Sequence, residues 1–232
     1  MPPGGEATDS IAFALTDFQI LSHYAGLRLG KYAQASAEKV TMTKDKRLPK
    51  AFILSDFTFY GPNQRRLPQP PDTHLPLDSV SSAKLRFREQ KNGNNGEEIL
   101  FTTNAGDIPL CPVRAMLRIR ERAIRLQVAP SSPIAVGMSA NRCVRLHESL
   151  INRHIQRAAA AVYNITSQSD LQRYSSHSAR VGAAVHLHLA GKDASFIKTR
   201  LRWRSDTFLL YLRNVAGLAA QHTDAVNTVP FS

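Results

Sequence analysis

His177 and Arg180 stand three residues apart in Tyr-Ser-Ser-His-Ser-Ala-Arg-Val-Gly-Ala-Ala, residues 174–184, where an apolar run begins. On a helix, positions i and i+3 are neighbours, so an imidazole and a guanidinium would project from one side. A guanidinium is permanently charged and offers five donors in a planar fork that matches phosphate oxygens. A histidine beside it can pass a proton near neutral pH, with the cation pushing its pKa down. Together they suit a phosphate whose oxygens gain charge in a transition state. Alone, HxxR is a weak motif that often occurs by chance, as in a capped helix whose first turn happens to be polar.

A second stretch adds to it. In Lys198-Thr-Arg-Leu-Arg-Trp-Arg-Ser-Asp-Thr-Phe-Leu-Leu-Tyr-Leu-Arg213, five of sixteen residues are basic (Lys198, Arg200, Arg202, Arg204 and Arg213), and only Asp206 is acidic. It holds the sole tryptophan, Trp203, with Tyr211 eight residues later. Phe208, Leu209 and Leu212 lie at helical spacing and are expected to anchor the segment, leaving the basic side chains solvated or on a polyanion.

The whole chain shares that charge bias. Thirty Lys and Arg against eighteen Asp and Glu give 232 residues a formal charge of +12, an imbalance that favours polyanionic partners such as nucleic acid or an anionic membrane surface. At 43% hydrophobic residues the composition is that of a folded domain and not of a disordered tail. No apolar run approaches the roughly 20 residues of a membrane span, and the N-terminus lacks the basic and apolar regions of a signal peptide. Only Cys111 and Cys143 are present, without CxxC or a Cys/His cluster. This points to a reducing compartment, nucleus or cytoplasm, and to no structural zinc.

The elements that must position these residues read as follows. Residues 1–9 are expected to be a flexible leader, followed from residue 10 by a single domain. A helix is expected from Thr16, with Thr16 or Asp17 as its cap, breaking near Arg28 between Gly26 and Gly30. Residues 51–60 suit one or two short strands, and the five prolines of residues 61–80 require loop. Ala83–Glu89, the turn-rich Lys91-Asn-Gly-Asn-Asn-Gly and Glu98–Thr102 form a hairpin signature. Pro112 opens a helix to Leu126, with Val113, Met116, Leu117 and Ile124 on one face and Arg114, Arg118 and Arg122 elsewhere. Residues 130–133 read as loop. A helix over 147–163 would turn Leu150, Ile151, Ile155, Ala158 and Val162 inward. Helices over 178–190, 194–201 and 207–220 complete an α+β chain, mostly helical, with a small antiparallel sheet of about three strands.

In this order the residues resemble the tyrosine recombinases, the phage-integrase family. Arg28 within Gly-Leu-Arg, Lys91 at a hairpin, His177-x-x-Arg180, Trp203 and Tyr211 follow the family's catalytic series. The likeness is greatest to recombinases of eukaryotic mobile elements, the DIRS-type and Crypton kinds, and it spans about residues 15–215. Two features depart from the pattern. Members commonly carry an acidic residue three positions after the first arginine, where this chain has Lys31, and the Trp203–Tyr211 gap is one residue shorter than in bacterial members.

The resemblance implies that the chain cleaves and rejoins DNA strands through a 3′-phosphotyrosine intermediate. Tyr211 would be the nucleophile and His177 the proton acceptor, since a phenol with a pKa near 10 needs such help. Arg28 and Arg180 would clamp the non-bridging oxygens, Lys91 would protonate the leaving 5′-oxygen, and Trp203 would donate its indole N–H. It implies no metal, no nucleotide cofactor and no membrane; the partner is double-stranded DNA, bound by a dimer or tetramer. Lys198, Arg200, Arg202, Arg204, Arg213, Arg86 and Arg88 are the expected further DNA contacts. Relatives carry an additional N-terminal helical domain, so this chain reads as the catalytic half, with residues 214–232 packing at home or on a neighbouring protomer.

Rival readings are a catalytically inactive, domesticated DNA-binding module of the same fold and a type IB topoisomerase-like enzyme. Among the other tyrosines, Tyr174 competes with Tyr211 by its place beside the HxxR motif. Tyr24, Tyr32, Tyr60 and Tyr163 read as core or half-buried packing, and His186 and His188 as packed or surface residues.

Overall fold

Ser10 starts the first helix: its side chain accepts from the Phe13 N–H (3.4 Å), and α1 runs Ile11–Ala25 to a left-handed Gly26 (φ 53°). The computed structural model describes residues 8–29, 51–68, 74–89, 95–104, 106, 109–212, 220, 223–224 and 228. The expected caps Thr16 and Asp17 therefore lie inside the helix. Asp17 is buried and faces a second helix, where Arg118 Nε (2.6 Å) and Arg122 Nη2 (2.5 Å) both donate to it. Thr8 and Asp9, read as part of the leader, are also held. The Thr8 carbonyl accepts from Arg122, and Asp9 pairs with Arg125 at 2.5 Å. Five charged side chains, Asp9, Asp17, Arg118, Arg122 and Arg125, thus pair here, and Arg122 is among the most deeply buried side chains.

Beyond α1, β1 (Phe57–Tyr60), β2 (Ser82–Phe87) and β3 (Glu97–Thr102) form an antiparallel sheet in the order β1-β2-β3. Phe57 faces Leu85, and Leu85 faces Ile99. Alternation puts Phe57, Phe59, Leu85, Phe87, Ile99 and Phe101 on the buried side. The loop expected over 61–80 holds single 3₁₀ turns at Pro62–Gln64 and Leu77–Ser79. Next, α2 (Pro112–Arg125) packs Val113, Met116, Leu117 and Ile119 against the sheet and α1.

A second hairpin, β4 (Val136–Ser139) with β5 (Arg142–Arg145), was not expected from the sequence. Its turn residues Ala140 (φ 46°) and Asn141 (φ 58°) are both left-handed, as a two-residue hairpin demands, but without the Gly that announces such turns. It lies against α1 so closely that a Cβ on Gly137 would come within 2.9 Å of the Ile11 Cα. The described residues thus hold the expected three-stranded antiparallel sheet and, beyond it, a two-stranded one.

α3 (Glu148–Tyr163) buries Ile151 and Ala159; Ala158 and Val162, expected inward, are exposed, as is Tyr163, expected as core or half-buried packing. A single turn, α4 (Gln168–Leu171), leads into α5 (Ser176–Leu189) and α6 (Ala194–Arg200). After a 3₁₀ turn at Asp206–Phe208 comes the short α7 (Leu209–Leu212). These last elements close a separate small core of Ala183, Ala184, Ile197, Leu201, Phe208 and Leu212. Leu209, an expected anchor, is 41% exposed. Cys111 is buried and Cys143 exposed, and they form no disulfide. No helix among the described residues is long and apolar enough to cross a membrane.

Candidate active site

The stretch around His177 begins α5 through a reciprocal cap. The Ser175 side chain accepts from the His177 N–H (3.3 Å), and Ser178 Oγ accepts from the Ser175 N–H (3.0 Å). The Ser176 N–H donates to Asn152 of α3 (3.0 Å), so the first turn is pinned from two sides. From this turn the exposed His177 points its Nε2 to the Tyr211 hydroxyl at 3.1 Å, with the rings edge to face. Tyr211 itself rides on α7, whose neighbours Phe208 and Leu212 anchor it in the small core.

Arg180, one turn further along α5, is 4% exposed. Its guanidinium lies over the Trp203 ring (4.3 Å to the centroid) and donates to the Gly26 carbonyl at the end of α1. Gly26 also starts the turn that presents exposed Arg28 toward the same place, so three separate parts of the chain meet here. Trp203 in turn lies 6.0 Å from the Tyr211 ring.

Electrostatics follow from this crowding of cations. Partial burial, then the Arg180 and Arg28 charges, hold the His177 imidazole below the ordinary histidine range. It is thus kept neutral at physiological pH, ready to take a proton. Burial, then repulsion from Arg28, pulls Arg180 down to about 10, with the nearby Tyr211 acting in the opposite sense. Arg180 stays charged at neutral pH. Arg180 Nη2 and Trp203 Nε1 are buried without a hydrogen-bond partner among the described residues.

Of the expected site residues, Arg28, His177, Arg180, Trp203 and Tyr211 therefore converge. Lys91 and Arg213 lie outside the described residues, as do Tyr32 and Lys31. Tyr174, the competing tyrosine, stacks on Tyr163 (ring centroids 5.9 Å apart). Among the expected DNA contacts, Arg86 and Arg204 are exposed, and Lys198 pairs with Asp206 at 3.0 Å. Three differ from a free basic face. Arg88 is spent on buried Asp56 (2.7 Å) and the Ala51 carbonyl, and Arg200 donates to the Leu100 carbonyl (2.6 Å) over the Phe101 ring. Arg202 is buried, its guanidinium 3.5 Å from the Phe87 ring centre. In each case a neighbouring aromatic, carbonyl or carboxylate contacts an arginine that the sequence leaves free.

The sequence reading missed the acceptors: the Ala25 and Gly26 carbonyls receive Arg202 and Arg180, respectively. Only the Gly-Leu-Arg break hinted at them. Among the described residues no three His, Cys, Asp or Glu side chains gather as metal ligands would. Comparison with models of known protein families finds no match, and comparison with curated proteins finds none.

Proposed function

We propose that this chain is the catalytic domain of a tyrosine-type DNA recombinase. The observation that carries the reading is the 3.1 Å contact of Tyr211 Oη with His177 Nε2, beside Arg28 and buried Arg180. A neutral imidazole at that distance is within reach to accept the phenolic proton. Tyr211 Oη attacks the phosphorus of a DNA phosphodiester; a Tyr–O–P bond forms, the P–O5′ bond breaks, and the Tyr211 proton passes to His177. The 5′-oxygen leaves as a hydroxyl after taking a proton, for which the family resemblance points to Lys91.

The attack changes the charge on the non-bridging oxygens, and preorganised guanidiniums nearby stabilise that charge without reorganising. The ester to Tyr211 replaces one phosphodiester by another, so rejoining to a different 5′-hydroxyl uses no nucleotide. The net charge of +12 supplies the salt-sensitive, sequence-independent part of DNA affinity. Assembly as a dimer or tetramer on duplex DNA, in the nucleus or cytoplasm, completes the reading.

The test uses a pool of duplexes of randomised sequence carrying bridging 5′-phosphorothiolates, whose sulfur leaves without an acid. Wild type should form an adduct that survives SDS, and Tyr211→Phe should form none. No wild-type adduct across the pool favours the inactive DNA-binding alternative; an adduct with Tyr211→Phe moves the nucleophile elsewhere.

A further inference from the structure

Arg202 precedes Trp203 in a conformation that suits a different residue. Its φ is 54°, the left-handed region that a long side chain rarely adopts and glycine enters freely. It is also 8% exposed. Nη2 donates to the Ala25 carbonyl (2.9 Å), while Nε and Nη1 meet no hydrogen-bond partner among the described residues. A buried cation held by one carbonyl, with two of its nitrogens unbonded, is unfavourable.

Its surroundings increase that penalty. Arg180 donates to Gly26, the next carbonyl along from Ala25, so two guanidiniums hold consecutive carbonyls at the C-terminal end of α1. Arg28 lies two residues further on. Burial first, then Arg180, pushes Arg202 down to about 9, with Arg28 and Arg200 adding to the repulsion and Glu97 opposing it. None of the ion pairs among the described residues involves Arg28, Arg180 or Arg202.

We propose that Arg202 is a positioning residue of the phosphate site, supplying from behind Arg180 a charge that a seated phosphate helps to balance. Its nitrogens are buried, so it acts through Arg180, Trp203 and the end of α1 and does not touch the substrate. Held over Phe87 and on Ala25, it fixes the turn that carries Trp203 while adding positive field where the phosphate sits. The inference rests on the recombinase reading for the identity of the anion, a DNA phosphodiester, but its test does not use strand cleavage.

The full chain is unfolded thermally in increasing inorganic phosphate, with sodium chloride holding ionic strength constant. Wild type should gain stability with phosphate. Arg202→Met should lose at least half of that gain, with a midpoint in the absence of phosphate no lower than wild type. Arg202→Lys, which keeps a charge, should keep most of the gain. Arg202→Gly, suited to the left-handed φ, should fold and behave as Arg202→Met does. Any of three results overturns the proposal: no phosphate response in wild type, an undiminished response in the Met and Gly variants, or failure of both to fold. Failure of the adduct assay with a phosphate response that depends on Arg202 would refute the Tyr211 chemistry while leaving this site standing.

Discussion

Replacing Gly26 by alanine tests whether the end of α1 organises the site. The residue is left-handed at φ 53°, and a Cβ there would meet Leu201 Cβ and Cδ2 at 3.2 Å and Arg180 Nη1 at 3.6 Å. The backbone term costs about 1–2 kcal/mol for an L-residue in this region. Leu201 is fully buried in the small core and cannot simply turn away, so overpacking adds about 1 kcal/mol. Gly191 provides the control: its φ is 74°, yet an added Cβ meets nothing within 4 Å. Gly191→Ala should therefore lose about 1–2 kcal/mol, and Gly26→Ala about 2–3 kcal/mol, by urea unfolding at pH 7.5. Leu201 must yield by a few tenths of an ångström, and it precedes Arg202 and Trp203. Because a 1 Å misplacement can cost about 100-fold, the adduct should form about tenfold more slowly in Gly26→Ala. Gly191→Ala should form it at the wild-type rate. Equal destabilisation by the two variants, with equal adduct rates, would refute the claim that this glycine spaces α1 from Leu201 and Arg180.

Two further outcomes follow from charges held in the fold. Asp17→Ala leaves Arg118 and buried Arg122 without their carboxylate, so denaturant unfolding should show a loss of about 3–5 kcal/mol; a loss below 1 kcal/mol would show that the clamp is dispensable. Acid should also weaken the fold. His23, His154 and His177 all have proton affinities lowered by burial first, with a neighbouring cationic or histidine group adding to it. Because folding depresses these pKa values, the unfolded chain takes up protons first. Stability is full above the ordinary value of 6.5 and declines as pH falls below it. The urea midpoint should be level from pH 8 to 7 and drop between pH 6.5 and 5, less steeply in His23→Gln, where the 2.9 Å bond to His186 is already gone. A midpoint unchanged down to pH 5 would count against this reading.

Local signals were legible in the chain. Periodicity located α2, α3 and α5, alternation located β2 and β3, and the residues around His177 marked the start of a helix. All of these depend on residues within a few positions of one another, as does the reciprocal Ser175–Ser178 cap. The boundary of α1 was misread because Ser10 is an unremarkable serine in sequence and Asp17 resembles a cap. The hairpin β4–β5 was missed because Ala-Asn can adopt a turn that Asn-Gly would announce.

Charge was where sequence misled most. A basic residue in a polar-looking register reads as solvated, yet Arg88, Arg122 and Arg202 find Asp56, Asp17 and Phe87 from distant parts of the chain. Sequence by itself determined the ingredients: an α+β chain of high positive charge with a histidine, arginines, a tryptophan and a tyrosine in a suggestive order. Tertiary structure decided which of them meet. His177 reaches Tyr211 because α5, α6 and α7 close one small core, and Arg180 stands beside Arg28 because α1 ends in a left-handed glycine. Distances across folded space depend on how faces pack, and that sum over the whole chain is written in no single motif.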